Sequence, residues 1–286
     1  MAMQLDERVM SRRPWSYSKI GALSCGSLFS RKYINKEPET LKAQSSRVGI
    51  VAHSVLEAGL LTPGIDLEQV YRELGVKSEL TREEQVDCSA KLAGIKDFLT
   101  RIEQYKRDEG VTEEFIEHKL AFNVDLKPVE FFDNDGLMRG VLDLGMRTRD
   151  DYVTILDHKS GKKQPIHKHT GQFYTYMLMA IIAWPWAKGV LSGIHYIGEP
   201  KVDWFPSPNG APGAWTRRDI ATICGPWIQQ LLQGTSRKLA QIATGGPAPE
   251  PSWACGWCGY LNSCSAGQAY KEAQSNKRKL KVTNNI

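Results

Sequence analysis

Residues 139–161 read RGVLDLGMRTRDDYVTILDHKSG, and the fold turns on how this stretch is laid out. Two apolar, β-rich runs, Val141 to Met146 and Tyr152 to Leu156, flank a polar break at Arg147 to Asp151, which predicts a β-hairpin. With the turn centred near Asp150, Asp143 and Asp157 are equally far from it and stand opposite each other. Side chains alternate along a strand, so Asp157 and Lys159 share a face and Asp143 joins them. Two carboxylates and one ammonium then converge at the end of an otherwise apolar hairpin. Buried charges are costly unless they pair with each other or with a metal, so the cluster points to a use beyond folding.

Outside the hairpin the chain has ordinary globular composition. Of 286 residues, 41% are hydrophobic and 24% charged, which excludes a disordered chain. The length allows one large domain or two modest ones with a sizeable core. A net charge of +5 permits a nucleic-acid partner without requiring one. The longest strongly apolar run, Met177 to Trp184, is far short of the roughly 20 residues that cross a bilayer. The N-terminus carries charges where a signal peptide needs an apolar segment. These features predict a soluble, cytoplasmic protein without a membrane partner.

In chain order, residues 1–15 read as a flexible lead-in and residues 271–286, with Lys277, Arg278, Lys279 and Lys281, as a basic flexible tail. Residues 16–270 read as a single domain whose core spans about 45–206. Helical spacing is expected near 16–34, 48–61 and 67–74. Another helix should run from Thr81 to about Asp108, opening on a TREE capping box. Strands are expected at 115–124, through the hairpin, at 190–197 and near 202–205, with a helix from about His169 to Ala183 between them. A last helix, Arg217 to about Thr244, meets Gly225-Pro226 and should kink there. Cys88 and Cys224 read as buried structural residues. The fold class is therefore α/β, a central mixed sheet flanked by helices.

The D-x13-D-x-K spacing of Asp143, Asp157 and Lys159 suits metal-assisted phosphodiester cleavage. Two carboxylates would hold Mg²⁺ or Mn²⁺, hard cations that prefer oxygen, and activate a bound water. Lys159 would orient that water or stabilise charge in the transition state. A surface hairpin with an ordinary salt bridge is the competing reading. Against it, Val141, Leu142, Leu144, Val153, Ile155 and Leu156 make both strands look buried on both faces. Gln172 and Tyr176 are four apart on the following helix, hence on one face. His53 and Glu57 are likewise helical neighbours, though a lone helical histidine is more often a surface residue than a ligand.

At these positions the chain resembles the PD-(D/E)xK nuclease superfamily, in its RecB-like branch. His53 in GIVAHSVLE is similar to the branch's helical metal-ligand histidine. Asp143 in GVLDLG matches the second motif, and Asp157 with Lys159 in ILDHKSG matches the third. Gln172 and Tyr176 in GQFYTYMLM match the Q-x3-Y signature. The resemblance implies a restriction-endonuclease-like core, with the main-chain carbonyl of His158 as a further metal ligand. It also implies that Gln172 and Tyr176 position the active site or the nucleic-acid strand. Glu117, on the strand before the hairpin where many relatives carry an acidic residue, is an additional candidate.

Near the C-terminus, C-x2-C-x5-C sets Cys255, Cys258 and Cys264 within reach of one centre. Soft thiolates select zinc or an iron–sulfur cluster. The stretch lacks a fourth ligand. The resemblance implies Cys25 in that role and a [4Fe–4S] cluster, as in AddB-type subunits and the CRISPR-associated adaptation exonuclease. Zinc remains the alternative occupant. Such a centre would join the segment 247–270 to Cys25 and close a loop of more than two hundred residues.

Together these readings predict a Mg²⁺- or Mn²⁺-dependent DNA exonuclease acting on single-stranded or frayed ends, with recombination, repair or CRISPR adaptation proteins as partners. Phe173, Tyr174 and the tryptophans are candidates for stacking on unpaired bases. Two rivals stand beside this reading. One is a non-catalytic nucleic-acid-binding or scaffold subunit, and the other a redox enzyme built on the cysteine cluster.

Overall fold

The computed structural model describes residues 3–39, 44–199, 201–210, 213–246, 248–249, 251, 254–255 and 258–283, and of residues 44–46 and 277–283 the backbone alone. In chain order the helices are α1 (Glu7–Met10), α2 (Tyr17–Ala22), α3 (Gly26–Phe29), α4 (Gln44–Leu61), α5 (Leu67–Lys77), α6 (Arg82–Asp108), α7 (Thr170–Ala183), α8 (Arg217–Asp219), α9 (Gly225–Gly245) and α10 (Ser265–Thr283). The strands are β1 (Glu113–Phe122), β2 (Met138–Arg147), β3 (Tyr152–Lys159), β4 (Gly189–Tyr196), β5 (Val202–Trp204) and β6 (Trp215–Thr216).

The expected α/β class is found. The sheet runs β1-β2-β3-β4-β5, with β6 also paired to β4. Only the β3–β4 pair among these is parallel, and α7 makes the crossover between them. The hairpin is β2–β3, antiparallel, with Leu144 opposite Leu156. One position further along this register come Asp143 and Asp157, where the ladder between the two strands ends.

Six consecutive buried residues in β3, Val153 to His158, follow from cover on both faces. On one face Leu144, Met146 and Leu156 pack with Val51, Val55 and Leu56 of α4 and with Ile95, Phe98 and Ile102 of α6. On the other lies α7, whose Phe173, Met177, Leu178 and Ile181 are buried. The TREE signal works as the sequence suggests. Thr81 Oγ1 accepts from the Glu84 amide at 3.3 Å, Glu84 Oε2 accepts from the Thr81 amide at 2.8 Å, and Arg47 of α4 donates to Glu84 at 2.6 Å.

Strand β1 explains why its alternation looks imperfect in sequence. Glu117 has φ +47°, the left-handed region that side chains other than glycine seldom enter. The β1–β2 pairing passes from Ile116–Leu144 to His118–Leu142 and omits Glu117 and Asp143. Phe115 and His118, three residues apart, therefore both lie by the Trp184 ring, at 4.4 Å and 5.7 Å. The alternation slips by one residue at the point where the acidic side chains sit. The kink expected at Gly225-Pro226 takes the form of a π-helical turn, Ile220–Cys224, just before α9. A widened turn accommodates a proline that cannot donate to the preceding carbonyl.

Chain contacts divide the molecule into two compact units where the sequence suggests a single domain. One holds residues 1–5, 13–15 and 44–231, including the whole sheet. The other holds 6–12, 16–43 and 232–286. The two ends of the chain also carry more structure than the sequence suggests. In the first unit, the Met3 amide donates to Val124 O at 2.8 Å, and Trp15 is fully buried and bridges Met138. In the second, α10 continues to Thr283 through the stretch read as a tail. Lys271, Glu272 and Ala273 onward are good helix formers, with no glycine or proline to stop them.

Candidate active site

The polar cluster forms where β2 and β3 part. Asp157, buried at 3% exposure, receives Gln172 Nε2 on Oδ1 at 2.7 Å and faces Lys159 Nζ from Oδ2 at 2.7 Å. Gln172 Nε2 also donates to the Tyr176 hydroxyl at 3.1 Å, so the α7 pair acts on the hairpin as a unit. Asp143 Oδ2 accepts from the His158 main-chain N–H at 2.6 Å. Asp143 and Asp157 are thus held from different sides by protein donors. Burial, then the neighbouring Asp157 carboxylate, pushes Asp143 well above the ordinary carboxylate range.

His53 of α4 reaches the same place. Burial lowers its pKa, while Asp157 and a hydrogen bond to the His158 main chain act the other way. Burial, then Glu57 of α4, raises Glu117, and Glu117 acts in turn on Asp143 and Tyr176. Tyr176 is itself raised by burial and then by Asp157. All the sequence-nominated hairpin and helix residues are therefore neighbours, Glu117 included. Glu57, one turn from His53, is the helical neighbour the sequence shows. One contributor lies outside the site candidates of the sequence. His169 feels both Lys159 and Asp157, and only the basic character of its loop hinted at it.

The His158 peptide is fixed by a third strand. His158 Nδ1 and His195 Nδ1, partners in the β3–β4 register, are 3.1 Å apart. His195 Nε2 is 3.1 Å from the Glu199 carbonyl, which can only accept, so His195 carries its proton on Nε2. Its Nδ1 then accepts and His158 Nδ1 donates. Burial keeps both rings neutral, with His195 lowered to about 4 and His158 well below its ordinary value. Phe98 stacks on His195 at 3.8 Å and closes this layer.

Among the described residues, no three His, Cys, Asp or Glu side chains are already set as a metal-binding group. Lys159 and the His158 amide occupy the carboxylates instead. The donor set nonetheless fits a hard divalent cation. An Asp143 carboxyl whose charge burial and Asp157 disfavour, the second carboxylate, one imidazole and one peptide carbonyl make an oxygen-rich donor set with repulsion for a cation to relieve.

Phe173 and Tyr174 do not form an open stacking surface. Phe173 is buried against Phe205 at 4.7 Å, and Tyr174 meets Phe205, Trp215 and Trp227. A run of aromatic residues on a helix next to the site serves here as core.

In the second unit Cys25, Cys255, Cys258 and Cys264 line a single cavity with Leu28, Arg31, Ala254 and Tyr260. None of the four is in a disulfide. Burial raises the Cys258 thiol, and the other three cysteines add to this. Around the cavity, Tyr260 OH donates to Glu37 O at 2.6 Å, Arg31 Nη1 donates to Ser263 at 3.0 Å, and the Arg31 guanidinium lies 4.2 Å over the Tyr260 ring. Cys88 and Cys224 stand apart and buried, their thiols raised to about 11 and about 12 by burial.

The family model of the PD-(D/E)XK nuclease superfamily matches residues 14–265. Among solved structures, the chain is similar to a protein from Eubacterium rectale provisionally named an exonuclease, at 9% identity and a TM-score of 0.46, covering 86% of this chain and 89% of that one. It is also similar to SSO0001, at 14% identity and a TM-score of 0.33, covering 76% of this chain and 95% of that one. No curated protein matches the chain. Among the described residues, no helix is long and apolar enough to cross a membrane.

Proposed function

Because this chain belongs to the PD-(D/E)XK nuclease superfamily, we propose that it is a Mg²⁺- or Mn²⁺-dependent deoxyribonuclease of the RecB-like branch, an exonuclease on single-stranded or frayed DNA ends. The observation that carries this reading is the meeting of Asp143, Asp157 and Lys159 at one point, with Gln172 and Tyr176 behind Asp157. Asp143, Asp157, the His53 imidazole and the His158 carbonyl would hold the cation. Bound there, it would polarise the scissile phosphate and lower the pKa of an attacking water.

The chain's own groups do the rest. Gln172 fixes the Asp157 carboxylate through Oδ1. The His158 N–H aims Asp143. Lys159, released from its pairing with Asp157 when that carboxylate takes a ligand, would orient the water and stabilise negative charge on the phosphoryl oxygens. The water's oxygen bonds to phosphorus, the bond to the leaving nucleoside oxygen breaks, and the two protons pass to solvent and to that oxygen.

For the second unit we propose a [4Fe–4S] cluster on Cys25, Cys255, Cys258 and Cys264, with zinc as the alternative occupant. The four cysteines share one cavity, and their donor chemistry is soft sulfur. Recombination, repair or CRISPR adaptation proteins are the partners this reading suggests.

The test uses anaerobically purified protein and end-labelled single- and double-stranded DNA, with and without Mn²⁺. Cleavage should require the ion and vanish in Asp157→Asn, and the label pattern separates end-directed from internal cutting. An Asp157→Asn protein that still degrades DNA would remove the proposed site.

A further inference from the structure

We propose that the loop joining β3 to α7 is a clamp for the nucleic-acid backbone beside the cleaved bond, with Lys162 and Lys168 each engaging a phosphate. This rests on the nuclease reading for the identity of the strand it holds. The loop begins at Lys159 itself. Residues 159–169, KSGKKQPIHKH, contain four lysines, two histidines and no acidic residue. Its excess of +4 compares with +5 for the entire 286-residue chain, so positive charge is concentrated against the catalytic lysine.

A basic surface loop is commonly just solvated, and two features set this one apart. The first is order. The buried Tyr196 hydroxyl accepts from the Gln164 amide at 2.8 Å and donates to the Gln164 carbonyl at 3.0 Å. That leaves it only as an acceptor toward His169 Nε2, 3.3 Å away, so the same hydroxyl pins the loop's middle and its end. Gly49 of α4 leaves room for Ser160 at the start, since a Cβ there would come 2.6 Å from Ser160 Oγ.

The second feature is how its charges are used. Lys159 pairs with Asp157, and Lys163 pairs with Asp203 at 2.7 Å. Lys162 and Lys168 are exposed and, among the described residues, have no ion-pair partner. A backbone pinned at its middle and its end, carrying two unpaired cations in the loop that starts at Lys159, is suited to an anion that repeats along a chain. His167 and His169 complete the loop without adding negative charge.

The experiment measures fluorescence anisotropy of labelled oligo(dT) with the full-length protein in chelator, over a range of KCl concentrations. Each phosphate contact to a single strand contributes a slope of about −0.7 in log K against log salt. Lys162→Ala/Lys168→Ala should therefore make the slope shallower by about 1.4. Arg72→Ala/Lys77→Ala on the exposed face of α5 removes the same charge elsewhere and should leave the slope as it is. Thermal melts establish that each variant is folded, and the corresponding glutamine pair replaces any alanine pair that is not. An unchanged slope in the loop variant, or an equal change in the α5 control, overturns the clamp. Failure of the wild-type protein to cut DNA with Mn²⁺ would instead end the nuclease reading, and a slope change confined to the loop variant would still stand.

Discussion

Asp143 illustrates how a site residue is poised against the stability of the fold. Burial and the Asp157 charge raise its pKa, so the folded state holds that proton more tightly than the unfolded chain does. The associated stability is present in full below the ordinary aspartate range and is lost as pH rises through the raised value. Asp143→Asn should therefore raise the melting temperature in chelator near pH 9 and change it little near pH 4. Adding Mn²⁺ should reverse the order at the higher pH, because only the wild-type protein gains a ligand. Melting curves for both proteins, with and without the ion, check this. A variant no more stable than wild type at high pH would mean the carboxylates are not in conflict. Lys159 makes the complementary case. Its ammonium stands 2.7 Å from the buried Asp157 carboxylate, so its removal leaves that charge without its cation and costs stability as well as activity. Lys159→Ala should lower kcat by about 10²–10³, as for loss of one charge-stabilising donor, and lower the melting temperature in chelator.

At the level of elements, α7 matters because it carries Gln172 and Tyr176, and its C-terminal end is tied down by one side chain. Arg217 donates to the Ile181 carbonyl at 2.7 Å, a group the helix end leaves without an intrahelical partner, and to the Trp184 and Ala187 carbonyls at 3.3 Å in the turn that follows. Arg217→Ala should cost about 1–3 kcal/mol in urea melts and reduce kcat/KM along with it. Helix α6 meets the β4–β5 connection in a similarly close fit. A Cβ on Gly94 would lie 2.5 Å from Gly198 Cα, so Gly94→Ala should destabilise by about 1–3 kcal/mol in the same assay. These elements were largely legible in the sequence, because hydrophobic period, the Thr81–Glu84 box and the polar break at Arg147 to Asp151 are local signals. The meeting of Asp143 and Asp157 was legible too, since it needs only a turn position. The slip at Glu117 was not, because one residue in the left-handed region follows from the needs of neighbouring strands. The packing of Phe173 and Tyr174 was also hidden, since Phe205 after β5, Trp215 of β6 and Trp227 at the start of α9 supply their aromatic neighbours from far along the chain.

At the scale of the whole molecule, the cysteines bring together segments that the chain separates by most of its length. Cys25 lies ahead of the sheet in sequence and Cys255, Cys258 and Cys264 come after it, yet all four line one cavity in the unit made from residues 6–12, 16–43 and 232–286. Among the described residues, polar ties between these segments include Tyr260 to Glu37 and Arg31 to Ser263. A cross-link closing a loop of this length is worth on the order of 5 kcal/mol in the chain-entropy picture, more than those hydrogen bonds together supply. The unit should accordingly depend on its centre. Cys25→Ser should lose the brown absorbance of an iron–sulfur protein and become sensitive to limited proteolysis within 16–39 and 254–264, while the wild-type protein resists. Metal analysis of the same wild-type sample distinguishes iron from zinc. If Cys25→Ser kept a full complement of metal and the same protease resistance, Cys25 would not be the fourth ligand, and packing alone would have to hold the unit together.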